Sequence, residues 1–239
     1  MSLIRVVTNG RVAQVVINRP EKKNALSPDV IREMESALKS LKDVRVIVVR
    51  GEGGFFSAGG DLSVMLSASE GDRKQFSKSG NDFMDFLQDF GAITIAAIEG
   101  GAYGGGLELA LSCDLRVASP QTKMGLTEVN LGLIPGWGGM KRIARIAGNG
   151  VARYVALTGR VMDGNEAYRL GLIHYLADNP VNFSEELAAS LSQKSIDSVR
   201  AIKSLLGKEP YSSELEASLF GQVLGTQNAR STLEKFLKK

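Results

Sequence analysis

The sequence predicts a mixed α/β fold that gives way to helices alone toward the C-terminus. Three observations carry this expectation. Residues 44–49, broken only by Arg45, and residues 93–98 are apolar runs of the kind found in strands buried on both faces. Each run leads into a glycine-rich loop that opens a helix. From Phe183 onward the spacing of apolar residues is helical throughout.

Taken in order, residues 4–8 and 12–18 read as two strands joined at Asn9-Gly10, a strong hairpin signal. A polar loop, 18–24, follows. Ser27 as N-cap, Pro28 at the first helical position and Asp29 near the positive end of the dipole start a helix, with the stripe Ile31, Met34, Leu38 and Leu41 facing inward. After the strand at 44–49, the loop 51–62 carries Gly51, Gly53, Gly54, Gly59 and Gly60, and Asp61 is placed to cap a short helix through Met65. Residues 72–90 read as a helix turning Phe76, Phe83, Phe86, Leu87 and Phe90 toward a core or a partner. After the strand at 93–98 come five glycines in seven residues, 100–106, and a buried helix from Leu107. Residues 114–118 form a strand candidate. A third glycine-rich passage, 129–139, precedes helices at 140–147 and 151–157. Asp163 and Glu166 make a capping-box-like helix start, and Gly171 ends that helix. A short strand at 173–176 is followed by helices at about 183–194, 198–206, 212–225 and 229–238. No tandem repeat or low-complexity segment interrupts this order.

The 99–114 stretch bears the chemistry. A strand that ends in a glycine-rich turn opening a helix presents free backbone N–H groups at the positive end of a helix dipole. Such a place binds an anion, or an oxygen that becomes anionic during a reaction. Glu108 lies three residues after Gly105, in the first turn, so a carboxylate stands beside that place. Taken alone the stretch has a second reading: the glycines permit close packing and Glu108 complements the dipole. No Gly-Lys-Ser/Thr follows, which excludes a P-loop, and the spacing does not fit a dinucleotide fingerprint. In the second loop Ala58 offers a backbone N–H beside Gly59-Gly60, and both loops can face one edge of a sheet.

Composition bounds the remaining possibilities. The chain has 239 residues, 44% hydrophobic and 23% charged, ordinary for a globular protein. A net charge of +3 gives no support for nucleic-acid binding, and no apolar run approaches the roughly 20 residues of a membrane span. Residues 1–5 lack a signal-peptide pattern, and Cys113, the only cysteine, forms no internal disulfide, so a reducing cytoplasm is the expected location. A single histidine, His174, argues against a histidine-rich metal centre and against Ser-His chemistry. Packing roles are expected for both His174 and Cys113.

The ordered set of Asn18 to Leu26, Phe56 to Leu62, Glu99 to Asp114, Gly125 to Gly139 and Thr158 to Arg160 resembles the enoyl-CoA hydratase/isomerase, or crotonase, family, and the resemblance spans essentially the whole chain. It implies an α/β fold of ββα units wound into a spiral over residues 1–182. A helical oligomerisation region, 183–239, is implied to build a homotrimer or a dimer of trimers. It also implies acyl-CoA thioester chemistry with no separate cofactor, since coenzyme A is part of the substrate, and with no metal. By similarity the N–H groups of Ala58 and Gly105 form an oxyanion hole. Glu108 and Glu128, which match the two carboxylates of hydratases, add water across the double bond of a trans-2-enoyl-CoA, and Gly136 helps to hold the water. Ala25, Gly59, Gly60, Asp61, Leu62 and Pro135 line the substrate by the same similarity. Lys22 is a candidate for the coenzyme A phosphates, as are Lys23 and Lys235. Trp137 has two readings, floor of the acyl pocket or core packing. Alternatives on the same site are a 3-enoyl-CoA to 2-enoyl-CoA isomerase, which needs one base, and a non-catalytic acyl-CoA-binding or scaffold relative. The chain departs from the family pattern at Gly60, where alanine is common, at Met140, and in its short C-terminal segment.

Overall fold

The computed structural model of the protein describes residues 2–67, 69–207 and 210–237. Its main sheet has six strands in the order β1-β2-β3-β4-β6-β9: β1 (Ile4–Asn9), β2 (Val12–Ile17), β3 (Val46–Gly51), β4 (Ile93–Ile98), β6 (Leu115–Ala118) and β9 (Tyr175–Leu176). Only β1 and β2 run antiparallel; every other neighbouring pair in this sheet is parallel. The hairpin pairs Asn9 with Val12, so its loop is Gly10-Arg11, one residue later than expected. Gly10 takes φ +58 at the first loop position, where a mirror-image turn demands glycine.

The runs at 44–49 and 93–98 lack polar alternation because both faces of the sheet are covered. Ile47, Val49, Ala96 and Ile98 pack into the larger core with α1 (Pro28–Ser40), α3 (Glu70–Gln88) and α4 (Gly105–Ser112). Val46, Val48, Ile95 and Ala97 face the opposite side, where Leu187, Ala188 and Leu191 of α7 (Pro180–Leu191) cover them. The start of α7 is marked by Asn179, whose side chain caps Asn182 N–H, and by Pro180, three residues ahead of the expected start. The division expected between residues 182 and 183 falls inside this helix.

Ser27 caps α1 and accepts from Val30 N–H; Ile31, Met34 and Leu38 of the expected stripe are buried, and Leu41, just past the helix, is half-buried. Asp61 caps α2 (Leu62–Ser67) through Ser63 N–H and Oγ. Strands were not expected within the glycine-rich stretch, yet β5 (Gly101–Tyr103) pairs with β7 (Lys123–Gly125), which pairs with β8 (Met162–Asp163) in a second, three-stranded sheet. Pairing with a neighbour overrides the low strand propensity of glycine here. α5 (Gly139–Thr158) is interrupted at Gly148, φ +86, which accounts for the two helices read on either side. α6 (Gly164–Arg169) has the expected Asp163 cap and Gly171 just past its end. The C-terminal helices are α8 (Ile196–Leu206), α9 (Ser213–Gly225) and α10 (Gln227–Leu237); the expected end of the last at Lys238 lies outside the described residues. None of these three has a buried residue, and Phe220, Phe236 and Leu237 are among their exposed apolar side chains. No helix among the described residues is long and apolar enough to cross a membrane.

Candidate active site

The site forms beyond the carboxyl ends of β3 and β4, the usual place for ligands in parallel sheets. The loop after β3 holds residues 57–61, and the chain after β4 passes through β5 into α4. Ser57 pairs with Ala102 of β5: Ser57 N donates to Gly101 O at 3.2 Å and Tyr103 N to Ser57 O at 3.0 Å. This ladder brings the two glycine loops together. A Cβ on Gly59 would lie 3.1 Å from Gly105 N, and one on Gly105 would lie 3.3 Å from Gly60 N.

The structure corrects the expected oxyanion donor at Ala58. Its N–H is already engaged, donating to Lys23 O at 2.9 Å. The polar loop lies along residues 57–61 like a partial strand: Leu26 N donates to Gly59 O at 2.7 Å and Asp61 N to Leu26 O at 3.0 Å. In an extended segment successive amides point to opposite sides, so the Gly60 N–H faces away from Leu26, toward Gly105. Gly105 opens α4, where an N–H has no intrahelical acceptor. The amide nitrogens of Gly60 and Gly105 thus lie close together, with Ser57 Oγ bracing the loop by donating to Asn24 O and accepting from Gly59 N. No signal in the letters tells which amide the polar loop would take.

Glu108 is 1% exposed. Its Oε1 accepts from Trp137 N and Gly139 N, both at 2.8 Å, at the N-terminus of α5. Gly139 must be glycine for this approach, since a Cβ there would stand 2.7 Å from Glu108 Cγ. Burial pushes the Glu108 carboxyl up to about 7; the two amides and Arg142 oppose that rise, and the Glu128 charge adds to it. Glu128 is thus close enough for its charge to raise the Glu108 carboxyl. Glu128 begins a 3₁₀ turn (Glu128–Leu131), and its carboxylate packs on Gly104: a Cβ there would lie 2.9 Å from Glu128 Oε1. Burial raises the Glu128 carboxyl as well, and its buried Oε2 has no hydrogen-bond partner among the described residues.

Gly136 and Pro135 precede the segment that holds Glu108. Gly136 O accepts from Ser77 Oγ at 2.8 Å and from Asn81 Nδ2 at 2.5 Å, both on α3. Trp137 is 2% exposed, lies against Gly60, Gly80 and Gly105, and meets Phe76 with ring centroids 5.2 Å apart. It therefore packs in the core directly behind the two loops. Arg142, 2% exposed, donates to Trp137 O at 2.8 Å and pairs with Asp85. Ser77, Asn81, Asp85 and Gln88 form a polar stripe at helical spacing, a signal present in the sequence beside the phenylalanines of the same helix.

Next to Gly60, Asp61 accepts from Ser63 Oγ at 2.5 Å and from Arg19 at 3.1 Å and lies 3.8 Å from Lys22 Nζ; Ser63 first, then Arg19 and Lys22, hold its carboxyl below the usual range against its burial. Ala25 O accepts from Arg19, and Leu62 is exposed. Lys23 Nζ stands over the Phe55 ring. Cys113 and His174 lie with buried Arg116, which donates its N–H to His174 Nδ1 at 3.2 Å and its guanidinium to Cys113 O at 2.7 Å. Burial lifts the thiol to about 12 and lowers the imidazole to about 4. No cluster of three or more metal-ligating side chains occurs among the described residues.

Comparison with known proteins agrees with this architecture. The profile of the enoyl-CoA hydratase/isomerase family matches residues 7–239. A probable enoyl-CoA hydratase of Bacillus subtilis is 36% identical, with 100% of this chain and 97% of the relative covered. A short-chain-enoyl-CoA hydratase of Clostridium acetobutylicum is 31% identical over 96% of this chain and 92% of its own. The crystal structure of an enoyl-CoA hydratase from Bacillus anthracis superposes with a TM-score of 0.93 at 28% identity, covering 99% of this chain and 96% of that one. DspI of Pseudomonas aeruginosa superposes with a TM-score of 0.94 at 30% identity, covering 100% and 95%. The fold, the two converging glycine loops and the match along the chain place this protein in the enoyl-CoA hydratase/isomerase family, with the crotonase fold.

Proposed function

We propose that the protein is an enoyl-CoA hydratase that adds water reversibly to a trans-2-enoyl-CoA. The observation that carries the proposal is the pair of unlike carboxylates, Glu108 buried and Glu128 half-buried, beside the amides of Gly60 and Gly105. In this reading the thioester oxygen accepts from those two N–H groups. As water adds, the oxygen becomes enolate-like, and preorganised donors stabilise it by about 3 kcal/mol each. Glu108, with Oε1 held by two amides, uses its other oxygen to take a proton from water while the water oxygen bonds to C3. The electron pair of the double bond moves toward the carbonyl, and Glu128 delivers its proton to C2. Dehydration runs the same steps backward. Burial raises both carboxyls, Glu108 to about 7, and it is the Oε2 of Glu128, unpartnered among the described residues, that supports its role as the acid.

Coenzyme A is part of the substrate, no further cofactor enters the reaction, and Lys22 reaches for its phosphates from the rim. Ala25, Gly59, Asp61, Leu62, Pro135 and Gly136 frame the substrate. The exposed apolar residues of α9 and α10 support assembly as a homotrimer or a dimer of trimers, for which a monomer in sedimentation would be the contrary result.

Incubation with crotonyl-CoA and longer trans-2-enoyl-CoAs should yield the 3-hydroxyacyl-CoA. A 3-enoyl-CoA converted to the 2-enoyl form without hydrated product would assign the isomerase reaction instead. Binding of acyl-CoA without turnover of any of these would leave a non-catalytic relative.

A further inference from the structure

We propose that Ser77 and Asn81 of α3 are positioning residues that aim the peptide joining Gly136 and Trp137 at Glu108, and so govern when that carboxylate can act as a base. The inference rests on the reading of Glu108 as an acid–base residue. A trans peptide places its C=O and N–H on opposite sides of one rigid plane. The oxygen of this peptide accepts from Ser77 Oγ at 2.8 Å and Asn81 Nδ2 at 2.5 Å. Its N–H donates to Glu108 Oε1 at 2.8 Å. Two donors on the oxygen thus fix where the hydrogen points, and they polarise the amide so that it binds a carboxylate more strongly than a carboxylic acid.

The next peptide is held similarly, since Trp137 O accepts from Arg142, which is itself gripped by Asp85 and Gln88 of α3. The polar face of α3 is therefore connected to Glu108 by hydrogen bonds through the 136–139 backbone. The charged groups facing Glu108 are Glu128 from the 3₁₀ turn, which raises its carboxyl, and Arg142 from α5, which lowers it. Neither is altered by changes at Ser77 or Asn81. Both of these residues are half-buried rather than core, so their replacement spares the packing.

The test is the pH dependence of hydration by Ser77→Ala/Asn81→Ala. A weakened Trp137 N–H raises the Glu108 carboxyl, so the acidic limb of kcat should move up by about one unit. That is roughly a fivefold loss at pH 7, recovering at higher pH, with KM little changed. Ser77→Thr in the Asn81→Ala background keeps a hydroxyl and should bring the limb part of the way back. A ¹³C titration of the Glu108 carboxyl, assigned by its absence in Glu108→Gln, should shift in the same direction without reliance on turnover. An unmoved limb and an unmoved titration, with Glu108→Gln inactive, would overturn the positioning role. Full activity in Glu108→Gln would instead overturn the reading on which it rests. If the double variant fails to fold, Ser77→Ala alone should give a smaller shift of the same sign, and no shift would count against the proposal.

Discussion

Glu108 and Glu128, the two carboxylates of the proposed site, are held in opposite ways. Glu108 belongs to a helix whose every residue is buried, and two amides fix one of its oxygens. Glu128 opens a short turn without a buried residue, near exposed Val129, Leu131 and Leu133, and leaves a buried oxygen without a partner. Two donors fix the geometry of Glu108, whose deep burial still raises its carboxyl to about 7; Glu128 is raised by burial as well, with its own backbone N–H opposing the rise. The contrast teaches that the surrounding backbone, rather than residue type, sets how tightly each carboxylate is held.

The largest expected effects break this contrast chemically. Glu108→Gln keeps an oxygen for the two amides but cannot accept the water proton, and hydration should fall by roughly 10³–10⁴. Glu128→Gln removes the proton donor and should cost roughly 10²–10³. Initial rates with crotonyl-CoA measure both, and a near wild-type rate in either variant removes that residue from the mechanism.

Next in size is the cost of keeping Glu108 ionised in the folded protein. Its carboxyl rises from 4.5 to about 7 on folding, so the folded state binds more protons than the unfolded one between those values. Stability from this group is present below pH 4.5 and is lost as pH rises through about 7, by roughly 3 kcal/mol. Glu128 shifts in the same direction. Urea unfolding at pH 5 and pH 8 should show the loss in the wild type and a smaller one in Glu108→Gln; equal losses would refute the assignment.

The two glycines with converging amides should differ as the carboxylates do. Gly105→Ala would drive a Cβ to 2.4 Å from the buried Trp137 ring and should destabilise by about 2 kcal/mol. Gly60→Ala meets the end of the flexible Met65 side chain at 2.3 Å, keeps its N–H, and should change stability by less than about 0.5 kcal/mol. Thermal unfolding of the two variants sets this smallest difference, and comparable losses would mean that Met65 cannot yield.

Much of the fold is legible because local rules suffice. β4 has the expected bounds, since an apolar run closed by glycine leaves little choice. The Ser27 and Asp163 caps follow from side-chain chemistry within one turn. Glu108 follows from its place after a glycine turn. Other features arise between distant segments. β5 exists because β7 pairs with it, α7 covers the second face of the sheet across the expected division, and Arg142 works through a carbonyl five residues behind it.

The amino-acid order marked out the candidates: two glycine turns after buried strands, Glu108 beside the second of them, and, through the family resemblance, Glu128. Only the tertiary structure decided which amides are engaged. Lys23 O takes the Ala58 N–H, whereas that of Gly60 has no acceptor among the described residues, because each backbone donor serves whichever acceptor the neighbouring segment brings near. That competition is settled by contacts between residues far apart in the chain, and spacing along one segment carries no record of it.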